Sequence, residues 1–261
     1  MLDIDLLENG VATVTLNRPD VHNAFNAELI AALTHAFADL GKRTDVRAIV
    51  LAGSGKSFSA GADLNWMQAA ANYDYEQNLD DAMRLSEMLD TLYECPKPVA
   101  AIAHGAVMGG GTGLLSCADF VVAVEGTRFA FSEVKLGLTP ATISPFVVAA
   151  IGARQARRLF TSGERFDAAL AHRIGLVHEV AADMEAAQKA VEAWVSHCLD
   201  AAPGAMADAK ALASFVASKE INDELREETA ERIAYRRASD EGKEGLAAFL
   251  EKRSPSWKGD A

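Results

Sequence analysis

Three short, uninterrupted apolar runs constrain this chain more than anything else in it: Ala48-Ile49-Val50-Leu51-Ala52, Val99-Ala100-Ala101-Ile102-Ala103 and Phe120-Val121-Val122-Ala123-Val124. None alternates with polar residues, so neither face of such a segment can turn to water; runs of this type suit strands covered on both faces. A different pattern precedes them. Leu2, Ile4 and Leu6 alternate, Asn9-Gly10 turns, and Ala12, Val14 and Leu16 alternate again, the signature of a β-hairpin. Asn26 is placed to cap a helix whose apolar positions Leu29, Ile30, Leu33, Phe37 and Leu40 follow helical spacing, with Gly41 ending it. Beyond about residue 183 the strand signal gives way to amphipathic helical patterns, separated by Ala202-Pro203-Gly204, Ser218 and Ser239-Asp240. The expected class is α/β with a helical tail.

Composition narrows the partners. The chain has 261 residues, half of them hydrophobic, enough for one large domain or one domain with an appendage. With 25 Lys+Arg against 37 Asp+Glu the net charge is −12, which excludes a broad basic face for nucleic acid or anionic lipid. Cys95, Cys117 and Cys198 are odd in number and far apart, so they assemble neither a disulfide framework nor a paired metal site. No apolar run approaches the roughly 18 to 20 residues of a membrane span, and Met1–Asp5 is acidic where a signal peptide would be basic. The expectation is a soluble, cytoplasmic protein.

Several motifs fail on inspection. Gly53-Ser54-Gly55-Lys56-Ser57 ends like a phosphate-binding loop, but Val50 stands where its first glycine belongs, and Phe58-Ser59-Ala60-Gly61 follows in place of a helix. Gly111 to Ser116 lacks the third glycine of a dinucleotide site. The six histidines form no His-Glu-x-x-His pair, so no metal ligands are assigned. No Gly-x-Ser-x-Gly elbow occurs, and Cys117 reads as a packed helix residue. The charged stretch Asp223–Arg237 reads as a solvated helix face.

Two backbone features survive. Phe58-Ser59-Ala60-Gly61-Ala62-Asp63 and Gly109-Gly110-Gly111 each place small residues just after a buried strand, where amide hydrogens can approach a ligand unobstructed. They read either as two tight turns or as the two donors of an oxyanion hole.

Taken in order, Leu16–Ala24, Phe58–Asp63 and Gly105–Gly111 resemble the crotonase family, the enoyl-CoA hydratase/isomerase superfamily, and the similarity runs from about Gly10 to the C-terminus. The resemblance implies a crotonase-type spiral of ββα units over residues 1–200 and a helical C-terminal trimerisation module over 201–261. It implies an acyl-CoA substrate, a homotrimer or dimer of trimers, and no metal or redox cofactor. The amides of Ala62 and Gly110 would hold the thioester oxygen. The backbone around Val21 and from Ala60 through Asp63 to Leu64 would accommodate the CoA moiety, with Ala24 and Gly109 also at the substrate. Of the two glutamates that flank a water in the family's hydratases, the second matches Glu133, whereas Gly113 stands at the first. A lone glutamate resembles the Δ3,Δ2-enoyl-CoA isomerases. Gly113, Ser132–Leu138, Pro140–Pro145 and Asp63–Met67 look most like bacterial 3-methylglutaconyl-CoA hydratases of leucine breakdown, whose branched substrate carries a distal carboxylate. That carboxylate or a water would replace the first glutamate. Thr142 and Ser144 would then donate to it, or else are helix caps before Pro145. Phe249–Trp257 resembles the family's closing helix, in which Lys252 and Arg253 would bring positive charge to a neighbour's CoA; alternatively they are last-turn cations. A noncatalytic acyl-CoA-binding protein would keep the two turns and lose Glu133.

Overall fold

The computed structural model describes residues 1–258. Its elements, in chain order, are β1 (Leu2–Leu6), β2 (Val11–Leu16), α1 (Ala27–Lys42), β3 (Ala48–Gly53), α2 (Leu64–Ala70), α3 (Tyr75–Tyr93), β4 (Val99–Ala103), β5 (Ala106–Met108), α4 (Gly110–Ser116), β6 (Phe120–Val124), β7 (Arg128–Ala130), α5 (Ser144–Ser162), β8 (Arg165–Asp167), α6 (Ala168–Arg173), β9 (Glu179–Ala181), α7 (Met184–Asp200), α8 (Pro203–Ala217), α9 (Asp223–Ala238) and α10 (Asp240–Glu251).

The hairpin forms as its alternation predicts, Leu2 opposite Leu16 and Leu6 opposite Ala12. From β2 onward the larger sheet is parallel, in the order β1-β2-β3-β4-β6-β9. The three apolar runs are its central strands β3, β4 and β6. Leu51, Ala101 and Val121 face one apolar layer with Leu33 of α1 and Leu89 of α3, whereas Ala48, Ala100 and Val122 face another with Ala187 and Val191 of α7. Burial on both faces explains the missing alternation.

A smaller sheet, β5-β7-β8, lies beside it. The chain passes from β4 in the larger sheet to β5 in the smaller and into α4, then from β6 to β7 and on to α5. Each pass is one ββα turn of the spiral. Ser59 bridges Val107 of β5, so the loop after β3 borders the smaller sheet as well.

One boundary is corrected. Asn26 caps α1, its side chain accepting from Leu29 N at 2.9 Å, but the helix runs through Gly41 to Lys42. Gly41 serves packing, since a Cβ there would lie 3.2 Å from Pro96 Cδ. Farther along, the guanidinium of Arg47 donates to the carbonyls of Leu199 (3.0 Å), Ala201 (3.0 Å) and Trp257 (2.8 Å), tying the start of β3 to the segments around α7 and the chain end. Among the described residues no helix is long and apolar enough to cross a membrane, and no His, Cys, Asp and Glu side chains cluster as metal ligands.

Candidate active site

The site is assembled around a loop held by polar side chains. His22 and Asn23 both adopt left-handed backbone, φ 53° each, a conformation that asparagine tolerates better than most residues. Asn23 is wholly buried and fully bonded: Nδ2 donates to Ser54 O (2.9 Å) and Ser57 O (2.8 Å), and Oδ1 accepts from Arg18 N (2.8 Å). The backbone continues the seam. Ala60 N donates to His22 O, Phe25 N to Gly61 O at 2.7 Å, and Asp63 N to Phe25 O at 2.8 Å. Because Gly61 O and Asp63 N both turn toward Phe25, the alternation of an extended chain turns the intervening Ala62 N–H the opposite way. That N–H has no acceptor among the described residues.

The second amide comes from the glycine turn. Gly109, at φ 49° and ψ −116°, swings the chain out of β5, and its N–H is tied to Ala130 O of β7 at 2.9 Å. Gly110 is then the first residue of α4, where a helix leaves its N–H groups without internal partners. Side chains are excluded here by proximity. A Cβ on Gly110 would lie 3.0 Å from Phe25 Cδ2, and one on Gly111 2.9 Å from Ser59 Cβ.

Glu133 begins the 3-10 turn Glu133–Leu136 that follows β7. Its carboxylate lies against the same glycine turn, so that a Cβ on Gly109 would be 3.0 Å from Oε1. Oε2 is buried with no hydrogen-bond partner among the described residues. Burial pushes this carboxyl's pKa above the usual glutamate value, partly offset by a backbone hydrogen bond that favours the charged form. Ala62, Gly110 and Glu133 line one cavity of about 400 Å³. Among the described residues Glu133 is the one ionisable side chain in its lining; the remainder is largely apolar, with hydroxyls from Ser132, Thr139 and Thr142. Two unpaired donors and a buried carboxylate in one largely apolar pocket can stabilise an oxyanion while the carboxylate moves a proton beside it.

The other sequence-derived positions divide. Ala60, Leu64 and Gly109 line the cavity. Val21 is exposed on the short turn Pro19–Val21, and Ala24 is buried with its carbonyl bonded to Arg18, so neither belongs to this lining. The side chain of Asp63 is an internal anchor, which leaves its backbone for the contact that the resemblance implies: Oδ2 meets Arg18 Nη2 at 2.8 Å and Oδ1 accepts from Asn65 N at 2.9 Å. Ser144 also turns away, its hydroxyl donating to Ala141 O at 2.7 Å, while Thr142 stays on the cavity wall. Lys252 lies in left-handed backbone at the end of α10, outside the cavity of its own chain, and Arg253 is engaged by Glu244 and Glu251.

Gly113 is the clearest correction. It is fully buried in α4, outside the cavity lining, beneath Ile143, and a Cβ on it would lie 2.7 Å from Ile143 Cβ. Ile143, which does line the cavity, fills the space above the helix. Gly113→Glu should therefore destabilise the protein in place of supplying a second acid. Gly113→Ala alone should cost about 1 to 3 kcal/mol through overpacking, read from thermal or denaturant unfolding. Ile143→Ala in the same chain should recover part of that loss. Neither Ile143 nor Asn23 was recognised from sequence, because a contact thirty residues apart and a buried polar hub leave no periodic trace.

The family model described as enoyl-CoA hydratase/isomerase matches residues 7–260. The chain is similar to an enoyl-CoA hydratase of Alternaria alternata, 32% identical over 97% of this chain and 83% of that one. It is likewise similar to the trans-2-decenoyl-[acyl-carrier-protein] isomerase of Streptococcus mutans, 33% identical over 97% and 96%. The crystal structure of an enoyl-CoA hydratase from Shewanella pealeana superposes with a TM-score of 0.95 at 41% identity, covering 98% of this chain and 95% of the other.

Proposed function

The chain belongs to the enoyl-CoA hydratase/isomerase family, and from that premise we propose that it hydrates a branched enoyl-CoA with a distal carboxylate, 3-methylglutaconyl-CoA or a close relative. The observation that carries this reading is the lone carboxylate of Glu133 in one cavity with the unpaired amides of Ala62 and Gly110. In the proposed reaction the thioester oxygen sits between the two amides. Glu133 takes a proton from water as the oxygen bonds to the β-carbon, the electron pair of the double bond moves into the thioester enolate, and the amides hold the resulting negative charge. The enolate α-carbon then takes the proton back from Glu133. One base suffices for this sequence, and it requires no metal or redox group. The substrate's own carboxylate, or a water held by it and by Thr142, orients the attacking water where two-acid hydratases use a second glutamate.

The same lone base favours a second reading, a Δ3,Δ2-enoyl-CoA isomerase, in which Glu133 carries a proton between the α- and γ-carbons. Turnover of crotonyl-CoA, 3-methylglutaconyl-CoA and a 3-enoyl-CoA separates the two. Hydration of 3-methylglutaconyl-CoA well above crotonyl-CoA supports the hydratase. Double-bond migration without hydration supports the isomerase, and binding without turnover of any of the three leaves an acyl-CoA-binding protein. We further propose a trimer or dimer of trimers built on the tail, where Leu246, Phe249 and Leu250 of α10 are exposed, with Lys252 reaching a neighbour's CoA. Light scattering that gives a stable monomer at micromolar concentration would remove that assembly.

A further inference from the structure

We propose that Arg18 is a positioning residue for the reaction, aiming the Ala62 amide by gripping both chain segments that frame it; this rests on the reading that the amide holds the thioester oxygen. Ala62 is bridged to Phe25. One Nη of Arg18 donates to the carbonyl of Ala24, the residue before Phe25, and the other to Asp63 Oδ2 at 2.8 Å, the residue after Ala62. The fork thus spans the seam one residue to either side of the bridge. A guanidinium suits that task because its donors are held in a rigid plane, whereas an ammonium offers a single point charge.

The pair is largely sheltered, with side-chain exposures of 18% for Arg18 and 7% for Asp63. Arg18 is itself anchored, its backbone N–H donating to Asn23 Oδ1 and its carbonyl accepting from Asn23 N. The ion pair holds the Asp63 carboxyl below the usual carboxylate range, so it stays charged at neutral pH. Asp63 also caps α2, whose next residue, Leu64, is 81% exposed. The clamp therefore fixes the segment that carries Ala62 together with the start of α2. Neither Arg18 nor Asp63 lines the cavity, so both act through Ala62.

The experiment compares wild type with Arg18→Lys, Arg18→Gln, Asp63→Asn and the Arg18→Gln/Asp63→Asn double variant, each checked for folding by circular dichroism. In steady-state turnover of the best enoyl-CoA, Arg18→Gln and Asp63→Asn should each lower kcat about 10- to 100-fold, the scale of a small misplacement, with KM changed much less. The double variant should lose no more than the worse single one. Arg18→Lys, which keeps the charge but not the fork, should recover part of the loss. A second readout needs no turnover. The thioester carbonyl stretch of bound butyryl-CoA should move toward its free-solution frequency in the clamp variants, because a tilted donor polarises the carbonyl less. Wild-type kcat with an unmoved carbonyl band in folded Arg18→Gln would overturn the proposal, as would fully additive losses in the double variant. Gly110→Val separates the two levels: if it too turns over normally the oxyanion reading fails, and if it alone is inactive only the role of Arg18 falls.

Discussion

Glu133→Gln is expected to lower turnover by roughly a hundredfold to ten-thousandfold, the range for general acid–base groups, with thioester binding little changed. Glutamine keeps the shape of the side chain beside Gly109 and loses the carboxylate that accepts and returns the proton. The same substitution should raise Tm at neutral pH. Burial lifts the folded-state pKa of Glu133 above its unfolded value, so the folded protein holds this proton more tightly and stability falls as pH rises through that window. Above it the buried charge is a standing cost, and a neutral amide removes it. The acid limb of kcat/KM in the wild type should correspondingly lie above the ordinary glutamate pKa, because the base form is the active one. Thermal unfolding and a pH–rate profile measure the two effects separately. A loss of activity joined to a gain in stability separates a base from a structural residue.

Gly110→Val should cost about a hundredfold to a thousandfold in kcat, the scale of one disabled oxyanion donor. Even a single Cβ there meets the ring of Phe25 at 3.0 and 3.1 Å. Phe25 is also the bridge partner of Ala62, so a branched side chain disturbs both donors at once. Gly110→Ala should do less, since the ring edge needs to yield only a few tenths of an ångström. Steady-state kinetics with a circular dichroism control reads both variants.

The central sheet was legible because β3, β4 and β6 are buried on both faces, and continuous apolarity is the mark of that environment. The two glycine- and alanine-rich turns were legible as turns, whereas their use as a pair of amide donors came only from the resemblance. What periodicity could not reveal were β5, β7, β8 and β9, each three residues long and too short to alternate. Their existence is decided by pairing between distant segments. Glu133 was found by resemblance, for nothing in its neighbourhood distinguishes it from an ordinary turn residue until β7 brings it against Gly109. Gly113 looked like an empty place in the site, whereas it is the helix surface on which Ile143 packs. The side chain of Asp63 carries a use its sequence neighbourhood does not show, since in the folded chain the fork of Arg18 and the N-terminus of α2 take its oxygens.

In the proposed reaction Glu133 moves a proton at a thioester held by Ala62 and Gly110. Deuterium exchange into the acyl chain of the bound substrate in heavy water measures that step alone. Wild type should exchange the proton next to the thioester carbonyl during reversible turnover, and Glu133→Gln should bind the same thioester with nearly unchanged affinity and exchange at least a hundredfold more slowly. Exchange at the wild-type rate in folded Glu133→Gln would contradict that role of Glu133.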